Sequence, residues 1–204
     1  MIVLITEPKN AEVVLNEIKN YKLDEKIVVS FMAGITIAEM KAMLGEKQNA
    51  VKLFRVMPNI AIQDGTGVIG VTYEDQDYES IQNVLQVLKK LGYVLKLDEE
   101  ALNYITVTAA SGLAFAACVM NSYQKATNTL FHDNEKSKEI TIRVFENVIN
   151  MVKRENCSFE DIICRIATKG GTTEAGMNNL NQELLTENLE LCMKKSYEKT
   201  KNIM

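Results

Sequence analysis

The chain has 204 residues, of which 47% are hydrophobic and 25% are charged, and its formal net charge is −4. These values are typical of an ordinary globular protein with an ample core, and without a basic patch they disfavour nucleic-acid binding. The start of the chain has no basic segment, and the longest apolar stretch, residues 107–120, is shorter than a helix that spans a bilayer. We therefore expect a cytoplasmic protein that binds neither nucleic acid nor a membrane.

The cysteines and the single histidine, His132, lack the spacing of a metal site. Cys118, Cys157, Cys164 and Cys192 form no CxxC pair, and no histidine cluster accompanies them. We predict no bound metal, and we expect the cysteines to be buried free thiols.

The first half of the chain alternates short apolar runs with amphipathic segments. Strands are predicted at residues 2–5, 27–31, 51–57, 68–73 and 93–97, and helices at residues 11–19, 36–44 and 76–91. Thr36 is predicted to cap the second helix, and Gly45 lies just past its last residue. Strands that alternate with short helices indicate a parallel sheet built from right-handed βαβ units.

Beyond about residue 98, helical periodicity takes over. Helices are predicted at residues 101–107, 112–130, 140–152 and 159–166, and over about the last 25 residues. The predicted fold class is therefore α/β followed by all-α, with an α/β domain at residues 1–98 and an all-helical domain at residues 99–204.

The segment VTAASGLAFAACVM, at residues 107–120, is rich in alanine, serine and glycine. Small side chains let another backbone approach closely. Three interpretations stay open: tight helix packing in a core, a subunit interface, and a helix that forms one wall of an active site.

Two predicted strand ends could bind a ligand, because ligands of open α/β sheets lie outside the carboxyl ends of the strands. In SFMAG, at residues 30–34, Gly34 allows close backbone approach, and the helix that starts at Thr36 offers free amide groups. In RVMPN, at residues 55–59, Pro58 fixes the chain and Asn59 offers both a donor and an acceptor. The alternative is that both are ordinary turns.

A third candidate, KGGTTEAG at residues 169–176, introduces a helix. The amide groups of the helix start and the threonine hydroxyls could hold a small carboxylate, to which Lys169 would add positive charge. The alternative is a simple helix start, with Thr172 as N-cap and Glu174 in the first turn.

Together, and in this order, these segments resemble the pyrroline-5-carboxylate reductase family over essentially the whole chain. That family has a "vKPq" strand end, an "S-x-x-A-G" turn, an "R-x-M-P-N" strand end, an "S-G-P-A" helix and an "S-P-G-G-T-T-x-x-G" loop. The matching segments are EPK at residues 7–9, SFMAG at 30–34, RVMPN at 55–59, SGLA at 111–114 and TKGGTTEAG at 168–176.

The resemblance implies a partial Rossmann-like sheet followed by a helical dimerisation domain, in a homodimer or larger homo-oligomer. It implies NADPH- or NADH-dependent reduction of 1-pyrroline-5-carboxylate to proline, in which the protein aligns the reactants and needs no strong acid or base at the imine carbon. The cofactor-binding residues carried over are Pro8, Ala33, Gly34, Met57, Pro58 and Asn59, and the substrate-binding residues are Thr168, Gly171, Thr172 and Thr173.

The sequence also departs from the family. The family places a glycine-rich strand–turn–helix and two further strands before the strand matched by residues 2–5, whereas here GTGVIG, at residues 65–70, leads into a strand and cannot replace that loop. We therefore expect an N-terminally truncated relative with an unpaired strand edge. Three accounts fit such an edge: a separate N-terminal chain, a strand shared in a homo-oligomer, and an incomplete gene product.

Two functions stay open for this chain. The intact GGTT and MPN segments favour a reductase that is impaired or depends on a partner. The missing glycine loop, and Glu7 in place of the family's lysine, favour a non-catalytic paralogue that acts as a dimerising interaction module. Lys169-Gly170-Gly171, in place of the family's P-G-G, is similar to late-competence paralogues.

Overall fold

A computed structural model describes residues 1–74 and 77–200, in the predicted order of elements. The strands are β1 (Ile2–Leu4), β2 (Lys26–Ser30), β3 (Val51–Pro58), β4 (Gly67–Tyr73) and β5 (Gly92–Lys96). The α-helices are α1 (Ala11–Ile18), α2 (Ile37–Leu44), α3 (Tyr78–Lys89), α4 (Leu102–Ile105), α5 (Gly112–Phe131), α6 (Asn134–Glu155), α7 (Phe159–Ile166), α8 (Thr172–Met177) and α9 (Gln182–Thr200). Short 3-10 turns lie at Pro8–Asn10, Gly45–Ala50 and Ile60–Asp64, and a π-helix lies at Thr106–Ser111. The predicted helices at residues 76–91 and at the end of the chain extend in part outside the described residues.

The five strands form one sheet in the order β1-β2-β3-β4-β5. The first three strands are parallel, β4 is antiparallel to β3, and β5 is parallel to β4. The predicted fold class is confirmed, but the last two strands run opposite to the first three. The reason is the short connection through Ile60–Asp64, since a hairpin can be that short whereas a parallel crossover needs a dozen or more residues.

Alternate residues of the central strands face two apolar layers, as the period of a strand requires. Val28 and Leu53 belong to a cluster that includes buried residues of α1 and α2. The neighbouring residues, Val29 and Phe54, belong to a second cluster that α3 covers. Helices therefore cover both faces of the sheet.

Contacts divide the chain into two compact units. Unit 1 comprises Met1–Leu113 together with the described residues from Met193 onward, and unit 2 comprises Ala114–Cys192. Residues 99–113 belong to unit 1 because Leu102 and Ile105 are buried with Met57 in a third apolar cluster. The division into domains at residue 98 stays a prediction.

Unit 2 has little core of its own. Ile162 is the single buried apolar side chain among residues 114–192, all of which the structure describes. α5 and α9 contain no buried residue, so residues 112–120 pack in no core of this chain, whereas Val107, in the π-helix, is buried. The expectation of buried cysteines is wrong for the same reason, because Cys118, Cys164 and Cys192 are exposed on helices with no covering layer in this chain.

One helical stretch, Leu102–Phe131, is long and apolar enough to cross a membrane, by length and composition alone. Its most apolar part is 17% buried. A segment of this kind needs an apolar cover, which either a second protein surface or a membrane can supply.

We predict that Gly92→Ala destabilises the sheet by about 3 kcal/mol or more, because the new methyl group must displace backbone. Gly92 has a φ of 150°, and a Cβ atom there would lie 2.0 Å from the carbonyl oxygen of Gly67. Urea unfolding would measure the change.

Gly112→Ala is the matched control, since Gly112 is helical and a Cβ atom there would lie 3.7 Å from its nearest neighbour. The control should be neutral or slightly stabilising. Equal stabilities of the two variants would contradict the close approach of β4 and β5.

Candidate active site

The carboxyl ends of β2 and β3 lie side by side, because these parallel strands pair in a register that sets Ser30 opposite Arg55. The chain leaves β2 through a turn in which Gly34 has a φ of 79°, a left-handed conformation that favours glycine. Ala33, in the same turn, packs against the cluster of Met57, Leu102 and Ile105. The structure therefore brings together two of the residues predicted to bind the cofactor, Ala33 and Met57, and Gly34 directly follows Ala33.

Asn59 is 5% exposed, and its side chain is used within the protein. Its Nδ2 donates to the carbonyl oxygen of Ala109 over 3.0 Å, and its Oδ1 accepts from the amide of Val68 over 3.1 Å. Ala109 lies in the π-helix, 50 residues further along the chain than Asn59. The donor and acceptor that the sequence offered to a ligand thus join β4 to the π-helix.

Two of the amides at the start of α2, which the sequence offered to a ligand, have partners within the protein. The amide of Ile37 donates to Oε1 of Glu99 over 2.7 Å, and the amide of Glu39 donates to Oγ1 of Thr36 over 3.1 Å. The predicted N-cap at Thr36 is confirmed as part of a capping box with Glu39. The Thr36 hydroxyl, followed by the Thr36 amide, holds the pKa of the Glu39 carboxyl below its usual range.

Glu99 is the residue that sequence reasoning missed. It accepts from Ile37 and also from Nη1 of Arg55, over 3.2 Å, although it belongs to no motif. It stands in a run of three acidic residues, Asp98 to Glu100, that looks like an ordinary solvated loop after a strand.

The turn at Pro8 lies at the same edge of the sheet, after β1. Pro8 is half-buried at the start of a 3-10 turn, and Glu7 forms an exposed ion pair with Lys9 over 2.6 Å. Neither observation tests whether Pro8 binds a cofactor, so its role stays a prediction.

The residues of unit 1 fit one end of a dinucleotide better than the other. Small and apolar residues at the ends of β2 and β3 suit a flat nicotinamide ring. The GTGVIG segment lies in and before β4, as expected, and α2 has its first amides occupied, so neither provides a cradle for a pyrophosphate. Among the described residues of unit 1, those at the ends of β2 and β3 could hold a nicotinamide ring, and neither GTGVIG nor the start of α2 could hold a pyrophosphate.

The predicted substrate loop belongs to unit 2. The amide of Gly171 donates to the carbonyl oxygen of Thr168 over 3.0 Å, and the amide of Gly170 donates to Oε2 of Glu174 over 2.8 Å. Gly171, rather than Thr172, is the N-cap, so the predicted cap is wrong by one residue. Thr172 and Thr173 begin α8, and their hydroxyls form no capping bond in the described chain.

Thr173 also lines an apolar groove of about 660 Å³ in unit 2. Its other lining residues include Tyr123, Phe159 and Leu185. A second groove, of about 600 Å³, shares Tyr123 and Leu185 with the first, so the two form one continuous apolar surface, here called the unit 2 groove. Residues of the five helices α5 to α9 line this groove, which is open to solvent.

A metal site is a separate question. The described residues contain no group of three or more histidine, cysteine, aspartate and glutamate side chains placed to hold an ion.

The sequence is similar to known pyrroline-5-carboxylate reductases. The family model for pyrroline-5-carboxylate reductase dimerisation matches residues 99–203. The reductases of Staphylococcus aureus and Staphylococcus epidermidis are 31% and 28% identical to the chain, in each case over 193 residues that cover 94% of the chain and 70% of the relative.

Solved structures have the same fold. The pyrroline-5-carboxylate reductase of Coxiella burnetii, 22% identical, matches with a TM-score of 0.87 over 98% of this chain and 74% of its own. The pyrroline carboxylate reductase of Plasmodium falciparum, solved with NADP bound, is 23% identical and matches with a TM-score of 0.85 over 98% of this chain and 76% of its own.

A Rossmann-like sheet joined to a helical dimerisation region defines the architecture of an oxidoreductase. More narrowly, the chain belongs to the pyrroline-5-carboxylate reductase family, as the sequence resemblance predicted.

We predict that Asn59→Ala destabilises unit 1 by about 2 kcal/mol, because it removes two part-buried hydrogen bonds, one to the amide of Val68 and one to the carbonyl of Ala109. Asn20→Ala, which removes one exposed hydrogen bond to Asn16, is the control and should change stability by less than about 0.5 kcal/mol. Urea unfolding measures both. If Asn59 served a ligand alone, its variant would be as stable as the control.

Proposed function

We propose that the chain is a pyrroline-5-carboxylate reductase that holds the nicotinamide end of NADPH or NADH and depends on further polypeptide for the pyrophosphate end. The observation that carries this proposal is the meeting of Ala33 and Met57 at the adjacent carboxyl ends of β2 and β3. Ligands of open α/β sheets bind at this edge. Gly34, Pro58 and Asn59 flank these two residues in sequence.

The free edge of β1 supports the dependence on further polypeptide. β1 pairs with β2 alone among the described strands. Val3 is 46% exposed and Ile5 is 77% exposed, and both line an apolar groove of about 270 Å³ beside α3. An apolar edge strand is a ready template for another strand, and a strand from a separate N-terminal chain, carrying the glycine-rich loop, would fit it.

The proposed chemistry needs no strong acid or base from the protein at the imine carbon. When bound, a reduced nicotinamide would supply a hydride to the imine carbon of pyrroline-5-carboxylate, and the imine nitrogen would take a proton, which gives proline. The protein aligns the two molecules and excludes water. Thr168, Gly171, Thr172 and Thr173 would hold the substrate carboxylate through amides and hydroxyls.

A second function, a non-catalytic dimerising module, has its own support. Glu99 and Thr36 occupy the amides at the start of α2, and Glu7 is an exposed acid at the sheet edge that would face an anionic cofactor. Both features oppose binding of a dinucleotide by this chain alone.

Titration with NADPH, followed by its fluorescence, separates the two functions. We predict no detectable binding by the pure chain, even with proline present. We predict micromolar binding, and oxidation of NADPH that depends on pyrroline-5-carboxylate, after a glycine-rich βαβ segment of the kind that binds dinucleotides is fused ahead of Met1.

The same fusion with its loop glycines changed to valine is the control and should not bind. A folded fusion that fails to bind NADPH would refute the reductase and leave the dimerising module. Micromolar binding by the pure chain would refute the dependence on further polypeptide.

We also propose that the chain forms a homodimer, or a larger homo-oligomer, through the unit 2 groove. The match of residues 99–203 to the dimerisation model supports this, as does the presence of a single buried apolar side chain, Ile162, in unit 2. A second copy would cover the leucines of α9 that line the groove, and α5, whose N-terminal half has small and apolar side chains that suit close helix packing. On this proposal the chain is cytoplasmic, and a subunit rather than a membrane covers Leu102–Phe131.

Sedimentation velocity tests the homodimer. We predict that Leu185→Glu, which places a charge in the unit 2 groove, weakens association at least tenfold, because the carboxylate must be desolvated. Val13→Glu, at an exposed position of α1, is the control and should leave the dimer intact. A monomeric parent chain, or one that needs detergent to stay in solution, would contradict the proposal.

A further inference from the structure

Arg55 is a buried cation with incomplete hydrogen bonding. Its side chain is 3% exposed, and its Nε has no hydrogen-bond partner among the described residues. The pair of its Nη1 with Oε1 of Glu99 spans 3.2 Å. A buried guanidinium with an unused donor is costly, so its presence calls for a benefit other than stability.

The partner of Arg55 holds the start of α2. Oε1 of Glu99 accepts from Arg55 and from the amide of Ile37, the first residue of that helix. The positive charge of Arg55 also helps to keep the Glu39 carboxyl ionised, after the larger effect of the Thr36 hydrogen bonds. Glu99 thus links one buried cation to the first amide of α2.

These contacts fix the turn between β2 and α2 at both ends. At the strand end, the amide of Phe31 donates to the carbonyl oxygen of Leu4 over 2.8 Å, and the amide of Met32 donates to Oγ of Ser30 over 3.3 Å. At the helix end, Glu99 holds Ile37. Ala33 and Gly34 lie between the two anchors.

The same arginine belongs to the strand that carries Met57. Arg55 lies opposite Ser30 in the pairing of β2 and β3, two residues before Met57. A side chain at this place can set the distance between the Ala33–Gly34 turn and the end of β3. These two segments are the ones proposed to contact the nicotinamide.

We propose that Arg55 is a positioning residue: acting through Glu99, it holds the first amide of α2 and thereby sets the Ala33–Gly34 turn against Met57. The assignment of this turn to the nicotinamide rests on the proposed function, whereas the positioning of the turn does not. The arginine touches neither cofactor nor substrate in this role.

Amide hydrogen exchange of the protein without nucleotide tests the positioning itself. We predict that Arg55→Met and Glu99→Ala each speed exchange of the Ile37 amide at least tenfold relative to the parent chain. Arg55→Lys, which keeps the positive charge, should retain part of the protection. Lys41→Met is the matched control, because it removes the ion pair with Glu74 from another part of α2. Exchange in Arg55→Met equal to that of the parent, with a loss in Glu99→Ala, would overturn the role of the arginine.

Nucleotide binding tests the consequence, in whichever form of the protein binds NADPH. We predict at least tenfold weaker binding of NADPH by Arg55→Met and unchanged binding of adenosine 2′,5′-bisphosphate, which lacks the nicotinamide. Equal weakening of both ligands would overturn the proposal, since general damage has no preference for one end of the cofactor. If no form binds NADPH, the proposed function fails, and the exchange experiment still decides whether Arg55 positions the turn. If Arg55→Met does not fold, Arg55→Lys and Glu99→Ala replace it in the exchange and binding experiments.

Discussion

The pairing of β3 on both of its sides is the constraint on which the rest of unit 1 depends. β3 hydrogen-bonds in parallel to β2 through Val51–Arg55 and antiparallel to β4 through Phe54–Pro58, so the two registers together use the whole strand. Leu53 and Phe54, on opposite faces of the strand, are 2% and 0% exposed, so neither face is free to shift. A strand held in this way delivers Met57, Pro58 and Asn59 to the sheet edge in one fixed geometry, which is what a hydride-transfer site requires of its walls.

The polar groups around that edge serve the scaffold first. Asn59 joins β4 to the π-helix, and Glu99 joins the start of α2 to Arg55. Asn59 and Glu99 each satisfy a backbone amide, that of Val68 in β4 and that of Ile37 in the first turn of α2. The edge therefore consists of rigid walls with few free polar groups, and it suits the apolar face of a ring better than a charged phosphate chain.

The two units obtain their stability in different ways. Unit 1 buries two apolar layers against one sheet and a third cluster beneath Met57, so its core lies within the chain. Unit 2 buries one apolar side chain and exposes a continuous groove, so most of its hydrophobic stabilisation must come from a surface outside the chain. The match to a dimerisation region explains this difference, because an obligate interface resembles a core divided between two subunits.

How far the sequence predicts this molecule depends on how local each determinant is. The strands, most helices and the cap at Thr36 follow from periodicity and from residues within one turn of each other, and all of these were predicted. The reversal of β4 could have been predicted too, since the connection from Asn59 to Thr66 is too short for a crossover. The partner of the Ile37 amide is 62 residues away and the carbonyl held by Asn59 is 50 residues away, and a single sequence contains no pattern that pairs them.

The motif residues were recognised from family resemblance, but resemblance says which positions matter and not what they touch. That is why Asn59, expected to offer its amide to a ligand, proved to be bonded to the π-helix, and why the residue that anchors the turn, Glu99, lay outside every motif.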